Sequence, residues 1–592
     1  MNLIETIQNK LKEQNIAAYL VLTSDYHQSE YISDFFKIRA YISGFTGSAG
    51  SLVITPNEAR LWTDGRYFIQ AERELEGSGI VLMKMGEPKV RTIYNYLASV
   101  LSNDGVLLFD GKMVSLNFIE ELEKELHSKV TYKTTDEIVN LIWPNRPQLP
   151  KDKIYYLDEF FTGESFKIKR DKVLEKLKEL NCDTFVLSAL EDEAWLYNLR
   201  GNDILYTPVF LSYTLMTNKE TILYIDKNKL NKDINHYLKE NDIKVKNYEE
   251  IYSDLFKLEG KRVLLDPNKT NYEIYRILKG KNEIYLAQNP TLLLKCIKNE
   301  VEIKNTKLAH IKDGVAVTEF MYYLKHLDPK EEYTEMKVSH HLLNLRKKQK
   351  GFLEPSFNTI CAYGPNGAML HYSPNVETDT RILKDNLLLV DSGGHYLEGT
   401  TDITRTFAIG QVSPEQKELF TTVLKSVINL SRAVFLEGCR GNNLDILARG
   451  PIWEKLLDYR CGTGHGVGHV LSVHEGPNGF RWKIVPERED SCVLRAGMIT
   501  TNEPGVYLDD KFGIRTENEM LCVDAGSSEY GHFLKFETIT YVPIDLDAID
   551  ANMLRKDEKD WLNDYHQMVY ETLKEYFSGD MLAWLAFATR KI

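Results

Sequence analysis

The stretch Gly462-Thr-Gly-His465-Gly-Val-Gly468 sets one imidazole among glycines. Because glycine has no Cβ, such a segment lets backbone or a ligand approach the ring closely. A flexible glycine-rich loop is the alternative interpretation. His465 therefore becomes a candidate ligand only together with donors elsewhere in the chain.

Four acidic residues in the same third of the chain lie in segments that suit a metal ligand. They are Asp391, which ends the apolar run 386–391; Asp402, in the threonine-rich segment 399–406; Glu503, before Pro-Gly; and Glu517. Each alone has an ordinary explanation: a capped strand end for Asp391, a solvated threonine face for Asp402 and a plain turn for Glu503. If the four converge without cations, repulsion and desolvation would protonate some of them or unfold the site.

We therefore expect these carboxylates and His465 to form the ligand set of a two-metal hydrolase. Oxygen donors with a single imidazole favour two Mn²⁺ ions and admit Co²⁺, Fe²⁺ or Zn²⁺. We interpret Cys461, the thiol nearest to His465 in sequence, as a bystander.

The local pattern predicts how these donors are presented. Strands ending at Asp391 and containing Asp402, separated by the turn-forming residues 392–395, would form a two-stranded antiparallel ladder. Segments 493–508 and 513–523 are predicted strands. In the second, Arg515 shares a face with Glu517 and could hold a ligand carboxylate ionised. Helices against a largely antiparallel sheet predict an α+β catalytic domain.

The chain is too long for one core, and three prolines in residues 143–150 mark a linker. The order of helices and strands on its two sides indicates an internal repeat. We predict two domains of one α/β design at 1–142 and 151–295. A catalytic domain at 298–545 and a helical extension at 546–592 follow.

Net charge, cysteine content and hydrophobicity limit the kinds of partner and cellular compartment that are expected. A net charge of −13 argues against nucleic-acid or anionic-membrane partners, which reward basic patches. Seven scattered cysteines without CxxC spacing indicate reduced thiols, and no apolar run approaches the roughly 18 residues that span a bilayer. These features predict a cytoplasmic protein that acts at no membrane.

The motifs together resemble those of the pita-bread-fold metallopeptidases, and most closely those of Xaa-Pro aminopeptidases in their long, three-domain form. The resemblance rests on 462–468, on Val473-His474-Glu-Gly-Pro477, on Trp62-Thr-Asp-Gly-Arg-Tyr-Phe68, and on separations of 11 between the aspartates and 14 between the glutamates. It covers nearly the whole chain. It implies an α+β and α/β multidomain fold, with two creatinase-like N-terminal domains before a pita-bread catalytic domain.

The resemblance also implies a role for each site residue. Asp391 would bind one metal alone, Asp402 and Glu517 would bridge the two metals, and His465 and Glu503 would complete the other. His371 and His474 would hold substrate and assist proton transfer, and Glu503 would relay a proton to the leaving nitrogen. We place Arg515 and Tyr507 among the substrate-binding residues.

The implied activity is removal of the first residue from peptides with proline second, by attack of a metal-bridging hydroxide. Many relatives have a histidine where this chain has Cys461, which puts the substrate preference in doubt. Two alternatives stay open: a prolidase-type or creatinase-type enzyme, and a metal-free pita-bread module that binds peptides or histones.

The last segment predicts an assembly. Seven aromatic residues between 552 and 592 are too many for a solvated extension. They must cover the catalytic domain, a second subunit or both. We expect a homodimer with this tail near the interface, and the alternative is a tail that only caps its own domain. The Gly44–Gly50 loop and Arg66 are predicted to border the site and to limit substrate length.

Overall fold

The computed structural model describes residues 3–101, 104–485 and 490–592. The chain divides into two compact units. Unit 1 comprises Met1–Leu157 and Glu164–Thr291, and unit 2 comprises Asp158–Gly163 and Leu292–Ile592. No helix within the described ranges is both long enough and apolar enough to cross a membrane.

The first part of unit 1 is a mixed sheet flanked by helices. Its strands are β1 (Ala18–Leu22), β2 (Ser51–Ile54), β3 (Ala59–Thr63), β4 (Ile80–Lys84), β5 (Val106–Phe109) and β6 (Thr131–Thr134). Its helices are α1 (Leu3–Glu13), α2 (Ile38–Ser43), α3 (Phe68–Glu74), α4 (Ile93–Val100), α5 (Leu116–Glu125) and α6 (Glu137–Ile142). The strand order is β4-β3-β2-β1-β5-β6. Apolar side chains of the strands, such as Leu20, Val53 and Leu107, form the core with α4 and α5.

Residues 155–296 follow the same plan. The strands are β7 (Tyr155–Tyr156), β8 (Thr184–Leu187), β9 (Leu199–Arg200), β10 (Ser212–Thr217), β11 (Thr221–Ile225), β12 (Ile243–Lys246), β13 (Arg262–Leu265) and β14 (Glu283–Leu286). The helices are α7 (Glu159–Thr162), which belongs to unit 2, α8 (Phe166–Glu179), α9 (Leu190–Tyr197), α10 (Lys232–Glu240), α11 (Glu250–Lys257), α12 (Tyr272–Leu278) and α13 (Pro290–Cys296).

The second sheet has the order β12-β11-β10-β8-β13-β14. In the first sheet β1 pairs with β2 and β2 with β3 in antiparallel fashion, and in the second sheet β8 pairs with β10 and β10 with β11 in the same way. All other neighbouring strands of the two sheets are parallel. The structure thus confirms the internal repeat. The exact domain boundaries of the sequence analysis stay predictions.

Unit 2 combines long helices with antiparallel ladders. Its further helices are α14 (Glu300–Lys325), α15 (Glu335–Lys347), α16 (Pro414–Ser431), α17 (Gly441–Trp453), α18 (Lys556–Leu573) and α19 (Gly579–Ala588). Its strands are β15 (Phe352–Pro355), β16 (Ile360–Tyr363), β17 (Asn386–Ser392), β18 (Gly394–Tyr396), β19 (Gly399–Thr400), β20 (Ile403–Ile409), β21 (Val434–Leu436), β22 (Gly464–Gly466), β23 (Glu475–Phe480), β24 (Ile499–Asn502), β25 (Gly505–Leu508), β26 (Phe512–Arg515), β27 (Asn518–Ser528) and β28 (Gly531–Thr538).

The sheets of unit 2 have the orders β15-β18-β19, β16-β17-β20, β21-β28-β27-β24-β22-β23 and β25-β26. Every ladder among these described strands is antiparallel, as the α+β prediction required. The predicted pairing of the two aspartate-bearing strands is confirmed as β17 with β20.

Three local predictions were wrong. Residues 394–396 form a strand that pairs with β15 and β19, so the segment after Asp391 is more than a turn. The predicted strand 493–508 is interrupted at 503–504, because Pro504 has no N–H to continue a ladder. The predicted strand 513–523 is interrupted at 516–517, where the Glu517 N–H donates to the Thr404 carbonyl instead.

The C-terminal tail packs on its own unit. Helices α18 and α19 share a core with α16, to which the tail contributes Leu554, Leu562, Tyr565, Val569, Leu573, Phe577 and Leu585. Among the tail aromatics, Tyr576 and Phe587 are more than half exposed. Most of the apolar tail is therefore covered by unit 2 itself, as in the alternative that the sequence analysis kept open.

A buried histidine joins the two repeats of unit 1. His27 follows β1, its Nδ1 lies 2.8 Å from the Ser188 carbonyl oxygen, and its Nε2 lies 2.6 Å from the Tyr248 hydroxyl. A neutral ring satisfies both contacts, since one nitrogen donates and the other accepts. Burial lowers the pKa of His27 to about 3.

We predict that this contact makes stability depend on pH. Because the folded pKa is depressed, the neutral ring stabilises the fold above the unfolded pKa of about 6.5, and this contribution is lost as pH falls toward 3. Urea unfolding should show the parent more stable than His27→Gln by about 1–3 kcal/mol near pH 7, with the gap closing by about 2 kcal/mol near pH 5.

His236→Gln is the matched control, because His236 is exposed on α10. It should leave the pH dependence of unfolding unchanged. The prediction is contradicted if the free energies of unfolding of the parent and His27→Gln differ by the same amount at both pH values.

Candidate metal centre

The ladder of β17 and β20 presents the two aspartates. The apolar run before Asp391 is buried, which carries its carboxylate inward at the end of β17, and Asp402 lies directly before β20. The two aspartates are 8% and 4% exposed. The threonine-rich segment after Gly399 is buried as well, so a solvated threonine face is excluded.

A network of threonine hydroxyls and backbone places His465 and Glu503 side by side. The Thr501 hydroxyl accepts from the His465 N–H at 3.0 Å and donates to Glu503 Oε1 at 3.2 Å. The Glu503 N–H donates to the Thr463 carbonyl at 2.8 Å. A Cβ on Gly464 would collide with the Thr501 carbonyl oxygen, so this close strand approach requires glycine.

The predicted ligands converge. One donor atom each of Asp402, His465 and Glu517 lie within 4.8 Å of one another. His465 Nε2 lies 3.3 Å from Glu503 Oε1 and 3.5 Å from Asp402 Oδ2. The imidazole therefore faces two carboxylates at once.

Arg515 and Thr404 connect Asp391 to the same centre. Arg515 Nη2 donates to Asp391 Oδ2 at 2.6 Å, and its Nε donates to the Thr404 hydroxyl at 3.1 Å. That hydroxyl donates to Glu517 Oε2 at 2.7 Å. Arg515 thus pairs with a predicted ligand carboxylate, as expected from its position beside Glu517.

The centre concentrates negative charge in a dry environment. Burial, reinforced by Asp391, Glu503 and Glu519, raises the pKa of Asp402 well above its ordinary value. Burial and the neighbouring carboxylates, Asp402 first, do the same to the pKa of Glu517. Without a cation these groups would be driven to take up protons.

The residues fit a divalent cation. Asp391 Oδ1 and Glu517 Oε1 are buried and have no hydrogen-bond partner among the described residues. His465 Nδ1 lies 2.9 Å from the Gly466 carbonyl oxygen and so carries the proton, which leaves the lone pair on Nε2, toward the carboxylates. Unpaired oxygens and a correctly oriented imidazole are what hard divalent cations require.

The centre is open on one side. The Glu503 and His465 side chains are 20% and 22% exposed, against 6% for Asp402. His474 stands edge-on to His465, with ring centroids 4.4 Å apart. A ligand from solvent would therefore meet Glu503, His465 and His474 first.

Tyr507 contacts Arg515 of the centre, and the segment that carries His371 packs against Tyr507. The Tyr507 hydroxyl accepts from Arg515 Nη1 at 2.6 Å. His371 is half-buried in the segment that follows β16, beside Tyr372, and Tyr372 packs in one apolar cluster with Tyr507. Cys461 is partly buried, and its backbone carbonyl accepts from Arg449 at 3.1 Å.

Sequence reasoning missed several supporting residues. Glu519 Oε1 accepts from the Asp402 N–H at 2.7 Å, and its spacing of two from Glu517 was the available signal. Thr404 and Thr501, which hydrogen-bond to predicted ligands, carried no comparable signal. Buried Arg449 donates to the Thr463 hydroxyl and the Tyr459 carbonyl, and so holds the backbone before His465.

Comparison with known families covers the described architecture. Residues 4–142 and 145–302 each match the creatinase/prolidase N-terminal domain. Residues 304–524 match metallopeptidase family M24, and residues 532–592 match its C-terminal region.

Individual relatives extend over the full length. The chain is 37% identical to Xaa-Pro aminopeptidase 1 of Dictyostelium discoideum, over 96% of this chain and 92% of the relative. The crystal structure of X-prolyl aminopeptidase from Caenorhabditis elegans, described as a cytosolic enzyme with a di-nuclear active site, superposes with a TM-score of 0.92. It is 34% identical and covers 98% of this chain and 95% of that one. Xaa-Pro dipeptidase from Bacillus anthracis shares the fold with a TM-score of 0.51 at 24% identity, over 64% of this chain and 99% of its own.

Proposed function

The chain belongs to the family of Xaa-Pro aminopeptidases within metallopeptidase family M24, and from this premise we propose that its buried centre releases the first residue of peptides with proline second. The observation that carries the proposal is the convergence of four carboxylates and one imidazole, with buried oxygens that lack partners among the described residues. A dinuclear hydrolase needs such a donor set.

We assign the ligands as the sequence analysis did. Asp391 would hold one metal, His465 and Glu503 would hold the other, and Asp402 and Glu517 would contribute to both. When bound, two divalent ions would supply an activated water nucleophile and offset the charge that develops on the scissile carbonyl. Mn²⁺ suits this oxygen-rich set best, and Co²⁺, Fe²⁺ and Zn²⁺ also suit it.

The residues on the open side perform the proton transfers. Glu503 is partly exposed and lies beside His465, so it can move a proton toward the leaving nitrogen. His474 packs against His465 and borders the same opening. We assign His474 and His371 to holding substrate and assisting that transfer.

Arg515 has a different task. Its guanidinium contacts Asp391, Thr404 and Tyr507 and is 3% exposed. Burial opposes its charge, yet Tyr507, Asp391 and Glu503 hold the pKa of Arg515 above its ordinary value. We propose that Arg515 keeps Asp391 ionised for metal. Contact of Arg515 and Tyr507 with the substrate stays a prediction.

Preference for proline follows from what proline lacks. An Xaa-Pro bond carries no N–H, so the site need not satisfy that donor and can present a shape-selective wall. Cys461, where many relatives have a histidine, is the position most open to an altered preference.

The alternatives have less support. The prolidase relative from Bacillus anthracis is matched over only 64% of this chain, whereas the duplicated sheets of unit 1 belong to the long form. A metal-free binding module is disfavoured because every predicted ligand is present, with unpaired oxygens at the centre.

We further propose a cytoplasmic homodimer joined through the catalytic unit. An apolar surface formed by Trp453, Leu456, Trp482 and Ile484 is exposed by 37%, 96%, 45% and 61%. The two indole rings are 5.7 Å apart, and Leu456 and Ile484 follow the two tryptophans by three and two residues in sequence. Patches of this kind mark association surfaces.

Substrate selectivity tests the activity. In the presence of Mn²⁺ we expect cleavage of Ala-Pro-Ala at least about 100-fold faster than of Ala-Ala-Ala, since a site shaped for an imide rejects an unpaired N–H. Release of alanine, measured by chromatography, is the readout. Equal rates on both peptides contradict the aminopeptidase assignment, and faster cleavage of the dipeptide Ala-Pro supports the prolidase alternative.

Ligand and histidine variants test the assigned roles. Asp402→Ala and Glu517→Ala should lose bound metal as well as activity, because each loosens both ions. His474→Ala and His371→Ala should keep the metal content of the parent while kcat falls by about 10²–10⁴. Metal is counted by mass spectrometry after gel filtration. If the histidine variants lose metal while the carboxylate variants retain it, the assignment of ligands and non-ligands is wrong.

Surface variants test the assembly. Leu456→Asp with Trp482→Asp should convert a dimer into a monomer at micromolar concentration, because charge in an apolar interface is unpaired. Tyr576→Asp on the exposed side of the tail is the control and should stay dimeric. A monomeric parent in sedimentation overturns the dimer, and dissociation by Tyr576→Asp alone places the interface on the tail.

A further inference from the structure

Glu335 is a fully buried carboxylate outside the metal centre, at the first turn of α15. It is 0% exposed and accepts four hydrogen bonds from residues that flank His371. The donors are the Tyr363 N–H (2.6 Å) and the Asn366 amide (3.0 Å) to Oε1, and the Tyr372 hydroxyl (2.7 Å) and the Thr380 N–H (3.1 Å) to Oε2.

All four donors are neutral, and each carboxylate oxygen accepts two of them. In a glutamine with its NH₂ group in place of Oε2, that group would face the Thr380 N–H, which cannot accept, whereas the Tyr372 hydroxyl can turn to the Thr378 carbonyl. The arrangement therefore favours a carboxylate, and it ties together both ends of the segment 364–383, which forms most of the connection between β16 and β17.

Backbone contacts add to this attachment. The Glu335 N–H donates to the Thr380 carbonyl at 3.0 Å, and the Ile382 N–H donates to the Tyr333 carbonyl at 2.8 Å. The Met336 N–H donates to Asp379 at 2.9 Å. The start of α15 and the end of the segment are thus joined residue by residue.

The start of the segment packs on a strand that adjoins the metal centre. Residues 364–368 pack against β26, which ends at Arg515, and a Cβ on Gly513 would collide with the Gly367 carbonyl oxygen. Met369 and Tyr372 share an apolar cluster with Tyr507. His371 thus lies in sequence between Met369, which packs in the cluster with Tyr507, and Tyr372, which bonds to Glu335.

We propose that Glu335 is a positioning residue for catalysis, which fixes the segment 364–383 through Tyr372 and so sets the place of His371. The proposal rests on the proposed function, because it assigns Glu335 an effect on the step that His371 assists. Glu335 itself contacts neither metal nor substrate.

Two variants and one control separate this role from general stability. Glu335→Gln removes one of the two acceptor oxygens, and Tyr372→Phe removes the hydroxyl that contacts Oε2 and the Thr378 carbonyl. Tyr333→Phe is the matched control, because the Tyr333 hydroxyl lies at the same helix start but accepts from the Asp328 N–H, at 3.2 Å.

The first measurement does not depend on the catalytic activity of the protein. Trypsin cleavage after Arg381 or Lys384, both exposed, reports opening of the segment in the full-length, metal-loaded protein. We expect cleavage to be about 10-fold faster in Glu335→Gln and unchanged in Tyr333→Phe, since local opening governs proteolysis. Equal rates in parent and Glu335→Gln overturn the anchoring step.

The second measurement is a double-mutant cycle on Ala-Pro-Ala with equal metal content. Glu335→Gln and Tyr372→Phe should each lower kcat by about 10- to 100-fold with KM changed by less than about 3-fold, as a small displacement of a reacting group does. In a His371→Ala background neither should lower kcat further.

The outcomes are distinguishable. Equal falls in kcat in both backgrounds overturn the positioning role and leave the aminopeptidase assignment intact. A parent that does not cleave Ala-Pro-Ala overturns the proposed function and, with it, the catalytic role of Glu335. A fall in kcat that occurs only when His371 is intact supports the proposal.

Discussion

Repulsion among Asp391, Asp402, Glu503 and Glu517 in a nearly dry interior is the constraint on which the rest of unit 2 depends. At a separation of about 4 Å, two like charges repel by about 4 kcal/mol at an effective dielectric constant of about 20. Arg515 offsets part of this charge through Asp391. The raised pKa values of Asp402 and Glu517 show that one arginine is not enough. The remaining charge must be balanced by protons or by divalent cations, and the unpaired oxygens favour cations.

Apart from Arg515 and Glu519, the surrounding scaffold holds these carboxylates with neutral groups. The threonine hydroxyls of Thr404 and Thr501 bond directly to Glu517 and Glu503. The strand interruptions at 503–504 and 516–517 free both glutamates from regular ladders and turn them toward the aspartates. Glycine at 464 lets two strands approach closely beside the imidazole. Hydroxyls and backbone thus set the geometry of both glutamates, while Arg515 and Glu519 support the aspartates.

Much of this could be predicted from sequence, because it depends on short-range patterns. The apolar run before Asp391 predicted a buried strand, and the repeated order of elements predicted the two matching sheets. Convergence of the ligands was an expectation, and electrostatics turned that expectation into a predicted metal site. By contrast, Glu335 reaches its four partners only through tertiary packing, over separations of 28 to 45 residues in sequence that carry no periodic signal. The packing partner of the C-terminal tail could not be predicted for a related reason. Its aromatic residues had to be buried, but composition does not show which surface covers them.

The two histidines are held by groups that do not belong to the ligand set. His474 precedes Glu475, which is buried and paired with Lys295 at 3.0 Å and with Lys298. His371 precedes Tyr372, which bonds to Glu335. Glu475 is paired with two lysines, whereas Glu335 accepts from neutral donors. Both are buried carboxylates, and loss of their partners would be costly, since an unpaired buried charge costs about 3–5 kcal/mol. The ligand set can therefore change its charge as cations bind and leave, while the segments that carry the histidines keep their place.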